Sequence, residues 1–203
     1  MEQVEKEKII RFYEDRYKRY GYDHKTVGWS SWDQQSLRFQ VLSEIAFLQG
    51  STVCDIGCGF GDLFDYLKAN SQIGAYYGYD LVPTLIREAA TRHSHVECEF
   101  AIGDLLEEGF QRTADYFMAS GTFNYRMKDN SHFVRRMLTK MFHLSHSGVA
   151  VNFLSTYVDY QDPINFHCDP AEMFAFAKQL TRYVTLRHDY PLWEFTLYLY
   201  KNR

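Results

Sequence analysis

The stretch Val53-Cys54-Asp55-Ile56-Gly57-Cys58-Gly59-Phe60-Gly61-Asp62-Leu63 runs from an apolar strand carrying one acid, through three alternating glycines, into a helix. Open parallel sheets bind ligands beyond the carboxyl ends of their strands, at the switch point next to the first strand. Glycines at such a turn let the chain bend sharply and let a ligand approach with no Cβ in the way. The spacing is G-x-G-x-G, not the G-x-G-x-x-G of dinucleotide binders. Asp55, two residues before the first glycine, repels a pyrophosphate but accepts a bond from an ammonium. A phosphate-free ligand with a cationic amino-acid portion fits this turn.

Outward from the turn, short apolar runs alternate with helical patterns. Strands are expected at Thr52–Ile56, Ala75–Tyr79, Val96–Ile102, Ala114–Ala119, Val149–Leu154, Val184–Arg187 and Phe195–Tyr200. Helices are expected at Leu63–Ala69, Thr84–Arg92, Phe133–Leu144 and Phe174–Leu180. This alternation predicts an α/β fold whose mainly parallel sheet is covered on both faces. Only the short His188–Trp193 link joins the last two strands, so they pair antiparallel. Before the sheet, the first twenty residues read as a helix stopped by Gly21. A second helix follows, capped by Ser31 and ending near Gly50.

Two further strand ends carry an acid. Tyr77-Gly78-Tyr79-Asp80 places Asp80 about twenty residues beyond the glycines, where a carboxylate accepts from both hydroxyls of a ribose. Ala101-Ile102-Gly103-Asp104-Leu105 places Asp104 where it accepts from an exocyclic amine such as adenine's. The ligand with an ammonium, a ribose and an adenine but no phosphate is S-adenosylmethionine. The blander readings are a glycine turn built for tight packing, an Asp80 that caps the Pro83 helix, and an Asp104 that serves an ordinary turn.

These segments resemble the seven-stranded, class I S-adenosylmethionine-dependent methyltransferases, from about Gly50 to the C-terminus. Val53–Gly61 resembles the family's first motif, Gly78–Leu81 its acidic second and Gly103–Leu105 its third. Ala114–Gly121 resembles the fourth, with Asp115 alone meeting its acidic start. The resemblance implies a Rossmann-like three-layer sandwich: a mainly parallel seven-stranded sheet with an antiparallel last strand, plus an N-terminal helical cover. Residues 1–50 are expected as a cap or lid and 51–203 as the cofactor domain. The implied cofactor contacts are Asp55, Gly57, Cys58, Gly59, Gly61, Asp80, Leu81, Asp104, Leu105 and Ser120. Arg38 is placed to pair with the methionine carboxylate, assisted by Gln34 or Gln35, with Trp29 and Trp32 closing the pocket. S-adenosylhomocysteine is the expected by-product.

Methyl transfer gains most from proximity and orientation, because the sulfonium is already activated. Acceptor-side candidates lie after the fourth and fifth strands: Asn124 and Tyr125, then Tyr157, and onward to His167. For an amine or hydroxyl acceptor, His167, Tyr125 or Asp159 is placed to take the proton. Each of these also has a plain structural reading as a loop or packing residue.

Composition narrows the field. The chain has 203 residues and a formal net charge of -4, which disfavours a nucleic-acid partner. Cys54, Cys58, Cys98 and Cys168 read as free thiols of a reducing cytoplasm, not as an iron–sulfur or zinc site, so no metal is expected. No signal peptide or membrane span is apparent. A small-molecule acceptor leads. A protein- or RNA-modifying enzyme is the alternative, disfavoured because Ala119-Ser120-Gly121-Thr122 stands where an N-P-P-Y-type motif serves amide or base nitrogens. A non-catalytic binder retaining the fold and an NAD-dependent oxidoreductase complete the set.

Overall fold

The computed structural model describes residues 2–94 and 98–202. Seven strands form one sheet: β1 (Thr52–Ile56), β2 (Ala75–Asp80), β3 (Cys98–Ile102), β4 (Ala114–Ala119), β5 (Ser145–Leu154), β6 (Val184–Arg187) and β7 (Glu194–Tyr200). The order is β3-β2-β1-β4-β5-β7-β6. β7 runs antiparallel to both β5 and β6, and the other strands share one direction. Of the third expected strand, Val96 lies outside the described residues.

The sheet is apolar on both faces because helices cover both. Along β5, Val149 and Val151 point to one core and Ala150 to the other, as the two-residue period of a strand requires. The first core is sealed by α5 (Asn130–Leu144) and α6 (Pro170–Leu180). α5 contributes Val134, Met137, Leu138, Met141 and Phe142, the i, i+3, i+4, i+7 stripe of a helix lying on a sheet. The second core is sealed by α2 (Trp32–Ser43) and α3 (Asp62–Ser71). α4 (Pro83–Arg92) packs beside β2 and β3. β7 is buried at every position, because it lies inside the sheet with β6 covering its outer edge.

The N-terminal helix α1 (Gln3–Tyr20) is different. None of its residues is fully buried. It lies across the carboxyl ends of the strands, tied to α4 by Tyr17 donating to Glu88 (2.8 Å) and Thr84 donating to Glu14 (3.3 Å).

The largest boundary shifts are at α2, β5 and α6, the last starting at Pro170, four residues before the expected Phe174, with Asp169 as its N-cap. α2 stops at Ser43 instead of near Gly50, because the chain turns there to drive Ile45 and Leu48 under the sheet. Phe47, between them, is left exposed. β5 begins at Ser145, directly after α5, four residues before the expected Val149. Among the described residues no helix is long and apolar enough to cross a membrane.

Candidate active site

Strand order reverses between β1 and β4, and the glycine turn sits there. Gly57, Gly59 and Gly61 have φ of 77°, 56° and 80°, a region that side chains strain to enter. At Gly57 space also forbids a Cβ, which would lie 2.4 Å from Thr122 Oγ1. The turn is clasped by its neighbour strand. Tyr79 O accepts from the N–H groups of Gly57 (2.7 Å) and Cys58 (3.1 Å). Asp80 accepts from Gly59 N–H and Val82 N–H, both at 2.9 Å. Asp80 thus joins the glycine turn to the segment before α4, whose N-cap is Val82 with no side-chain cap, so the capping reading of Asp80 does not hold.

Asp55 is buried, and Tyr76 O–H donates to its Oδ2 at 2.5 Å. Burial pushes the Asp55 carboxyl up to about 7, against the Tyr76 bond and with help from the charges of Asp80 and Asp62. Burial likewise raises Asp80, opposed by the N–H groups of Val82, Gly59 and Leu81. Asp104 accepts from Leu106 N–H (2.9 Å) and pairs with Lys6 of α1 at 3.2 Å.

These groups border one cleft of about 1070 Å³, counted out to bulk solvent. Of the cofactor positions expected from the sequence, Asp55, Gly57, Cys58, Gly59, Asp80, Leu81, Asp104, Leu105 and Ser120 line it. Gly61 lies one step behind, where a Cβ would meet Phe100 at 2.6 Å. Arg38 also stands behind the wall. Glu194 at the start of β7 holds its Nε through both carboxylate oxygens (2.9 and 3.0 Å) and its Nη2 through a further short contact. Its guanidinium lies 4.1 Å from the ring centre of Trp29, and Trp29 is on the wall.

Of the acceptor-side candidates, Tyr125 borders the cleft, whereas Asn124, Tyr157 and His167 stand off it. Asn124 orders the loop, its carbonyl accepting from Phe166 N–H at 2.8 Å. Tyr157 is 66% exposed, because Ser155 Oγ accepts its N–H in a turn that sends the ring toward His188. His167 sits half-buried in the same loop, its pKa lowered by desolvation and by Arg126.

The structure adds wall residues that sequence reading did not single out. Ile9 and Tyr13 come from α1, and Met127, Phe133 and Met137 from α5 and the segment leading into it. Ile9, Tyr13 and Tyr17 follow helical spacing, which reads as a core stripe. Ile9 and Tyr13 face the cleft, while Tyr17 packs with Tyr13 against Phe60, Val82 and Leu85.

Among the described residues, four buried side-chain atoms have no hydrogen-bond partner: Asp55 Oδ1, Gln35 Oε1 and Arg38 Nη1 around the cleft, and His167 Nδ1 away from it. Buried polar groups are normally satisfied, so the set around the cleft marks missing ligand atoms. Two acceptors and one donor match an ammonium and a carboxylate, the two ends of a zwitterionic amino acid. Asp80 and Asp104 border the same cleft. The residues present thus fit S-adenosylmethionine.

Comparison with known proteins agrees. The methyltransferase-domain family profile matches residues 53–148. The Mycobacterium tuberculosis protein Rv1506c, whose methyltransferase designation is itself provisional, is 33% identical over 160 residues, covering 74% of this chain and 93% of that protein. The chain is a class I S-adenosylmethionine-dependent methyltransferase. Solved structures share the methyltransferase's fold at low identity. Synechocystis magnesium protoporphyrin IX methyltransferase with bound S-adenosylhomocysteine superposes with a TM-score of 0.70 at 16% identity, covering 98% of this chain and 99% of that one. The DhpI complex with S-adenosylhomocysteine gives 0.73 at 15% identity, covering 98% of both chains.

Proposed function

We propose that the methyltransferase modifies a small molecule held between the cofactor and α1. The observation that carries this is the roofed cleft. Ile9 and Tyr13 of α1 and Trp29 before α2 complete its wall, so the acceptor meets an enclosed space rather than an open face. The structural neighbour named for magnesium protoporphyrin IX supports a small acceptor, and the acidic balance of the chain speaks against RNA. Residues 1–50 then act as a cap over a cofactor domain at 51–203. The free cysteines suit a cytoplasmic setting.

In this reading Asp55 and Gln35 receive the cofactor's ammonium, Arg38 Nη1 its carboxylate, Asp80 its ribose and Asp104 its adenine. Gly57, Cys58 and Gly59 offer backbone with no bulk in the way, and Ser120, Leu81 and Leu105 close the sides. Bound there, S-adenosylmethionine supplies a methyl group already activated on a sulfonium. The chain's own task is to place the acceptor in line and to exclude water. Tyr125 and Tyr13 are the hydroxyls best placed to orient it. Burial and the charge of Asp80 hold Tyr13 up to about 12. At neutral pH Tyr13 therefore stays protonated and positions rather than accepts a proton.

Incubation of the enzyme and methyl-tritiated cofactor with a cell extract, followed by size fractionation, tests the proposal. Label is expected in the small-molecule fraction. Label confined to protein or RNA would overturn it.

A further inference from the structure

The ionisable groups on the cleft wall are of one sign. Asp55, Asp62, Asp80 and Asp104 border it, and no lysine, arginine or histidine does among the described residues. The nearby cations are each engaged from behind. Lys6 is held by Asp104 (3.2 Å) and Glu107 (2.7 Å), and Arg92 by Asp62 (3.1 Å) and Asp65 (3.3 Å). Arg38 is held by Glu194, leaving Nη1 for the cofactor's carboxylate. Lys8 is turned to Glu5 at 2.9 Å. The rest of the wall is mostly apolar, with Ile9, Trp29, Met127, Phe133 and Met137 contributing large surfaces.

From this charge pattern we infer that the acceptor is an apolar molecule with no anionic group. The inference rests on the small-molecule reading above and sharpens it. A carboxylate or phosphate on the acceptor finds no lysine, arginine or histidine of the wall to pair with, and it faces carboxylates in a space of low polarizability, where like-charge repulsion is strong. An acceptor that is neutral or cationic meets no such penalty. The same negative wall draws the positively charged cofactor in.

A matched pair of fluorescent probes tests this on the full chain saturated with S-adenosylhomocysteine. N-phenyl-1-naphthylamine is neutral. 8-Anilinonaphthalene-1-sulfonate has the same aromatic body plus a sulfonate. The neutral probe is expected to bind about tenfold or more tightly at low salt, with the gap narrowing as salt screens the wall. Met127→Trp, which fills part of the wall, is expected to weaken the neutral probe severalfold. Ile9→Lys, which puts a cation on the wall, is expected to raise affinity for the sulfonate at least fivefold. Equal or tighter binding of the sulfonate by the unmodified protein would overturn the inference. So would failure of the neutral probe to bind, or indifference of the sulfonate to Ile9→Lys. Failure of the small-molecule reading shows separately, as tritium in macromolecules, so the two failures are told apart.

Discussion

Asp55 has a folded-state pKa of about 7 against an ordinary 3.8, raised mainly by burial. Between those values the folded chain binds more protons than the unfolded one, so Asp55 lowers stability as pH rises from about 4 to 7 and changes nothing further above that. Cofactor binding runs the other way, because only the ionised carboxylate attracts an ammonium. Affinity for S-adenosylhomocysteine is expected to fall roughly tenfold between pH 7.5 and 6, and Asp55→Asn is expected to flatten that dependence. Calorimetric titrations at the two pH values check this; a wild-type affinity indifferent to pH would count against the role given to Asp55. The three acids were legible from their place at strand ends. The partners that tune them were not. Lys6 on Asp104 and Glu194 on Arg38 are joined by folding across long stretches of chain. No local pattern announces either pair.

At the scale of elements, α2 and β7 are pinned together by that buried pair, with Arg38 6% and Glu194 1% exposed. Removing one partner strands a buried charge, which costs about 3–5 kcal/mol. Glu194→Gln is therefore expected to shift the urea midpoint strongly downward. The double change Arg38→Met with Glu194→Leu is expected to recover much of that loss while leaving the cofactor weakly bound. α1 behaves oppositely. Its Ile9 and Tyr13 face the cleft, none of its residues is fully buried, and the sheet's two cores contain none of its side chains. Deleting residues 1–21 is expected to leave a cooperative fold by circular dichroism but to weaken cofactor binding about tenfold or more. A deletion that binds as well as the full chain would remove α1 from the site. The amphipathic pattern predicted the helix correctly; periodicity does not say which surface a stripe meets. Nor did it foresee the early end of α2, which burial of Ile45 and Leu48 imposes.

For the whole molecule, the alternation of strands and helices carried most of the architecture. The central strands β5 and β7 are buried on both faces, whereas the edge strands β3 and β6 are only partly covered. The reversal of β7 followed from the short His188–Trp193 link. Its place inside the sheet, between β5 and β6, is a tertiary fact that the sequence pattern does not encode. The acceptor side was the least legible part. Its candidates came from two loops after β4 and β5, and loop residues follow contacts rather than periodicity. Tyr125 reached the cleft, while Tyr157 was turned away by a bond local to its loop and His167 stands off the cleft.

The account stands on carboxylates at neighbouring strand ends gripping one sulfonium nucleoside, with Asp80 at the centre, bonded to the glycine turn through Gly59. Calorimetry of S-adenosylhomocysteine against the wild type and Asp80→Ala puts this most directly to the test. One site per chain with micromolar affinity is predicted, weakened by about 10²-fold in the variant through loss of charged hydrogen bonds worth roughly 1.5–3 kcal/mol each. A wild type that binds no tighter than millimolar, or a variant that binds equally well, would contradict it.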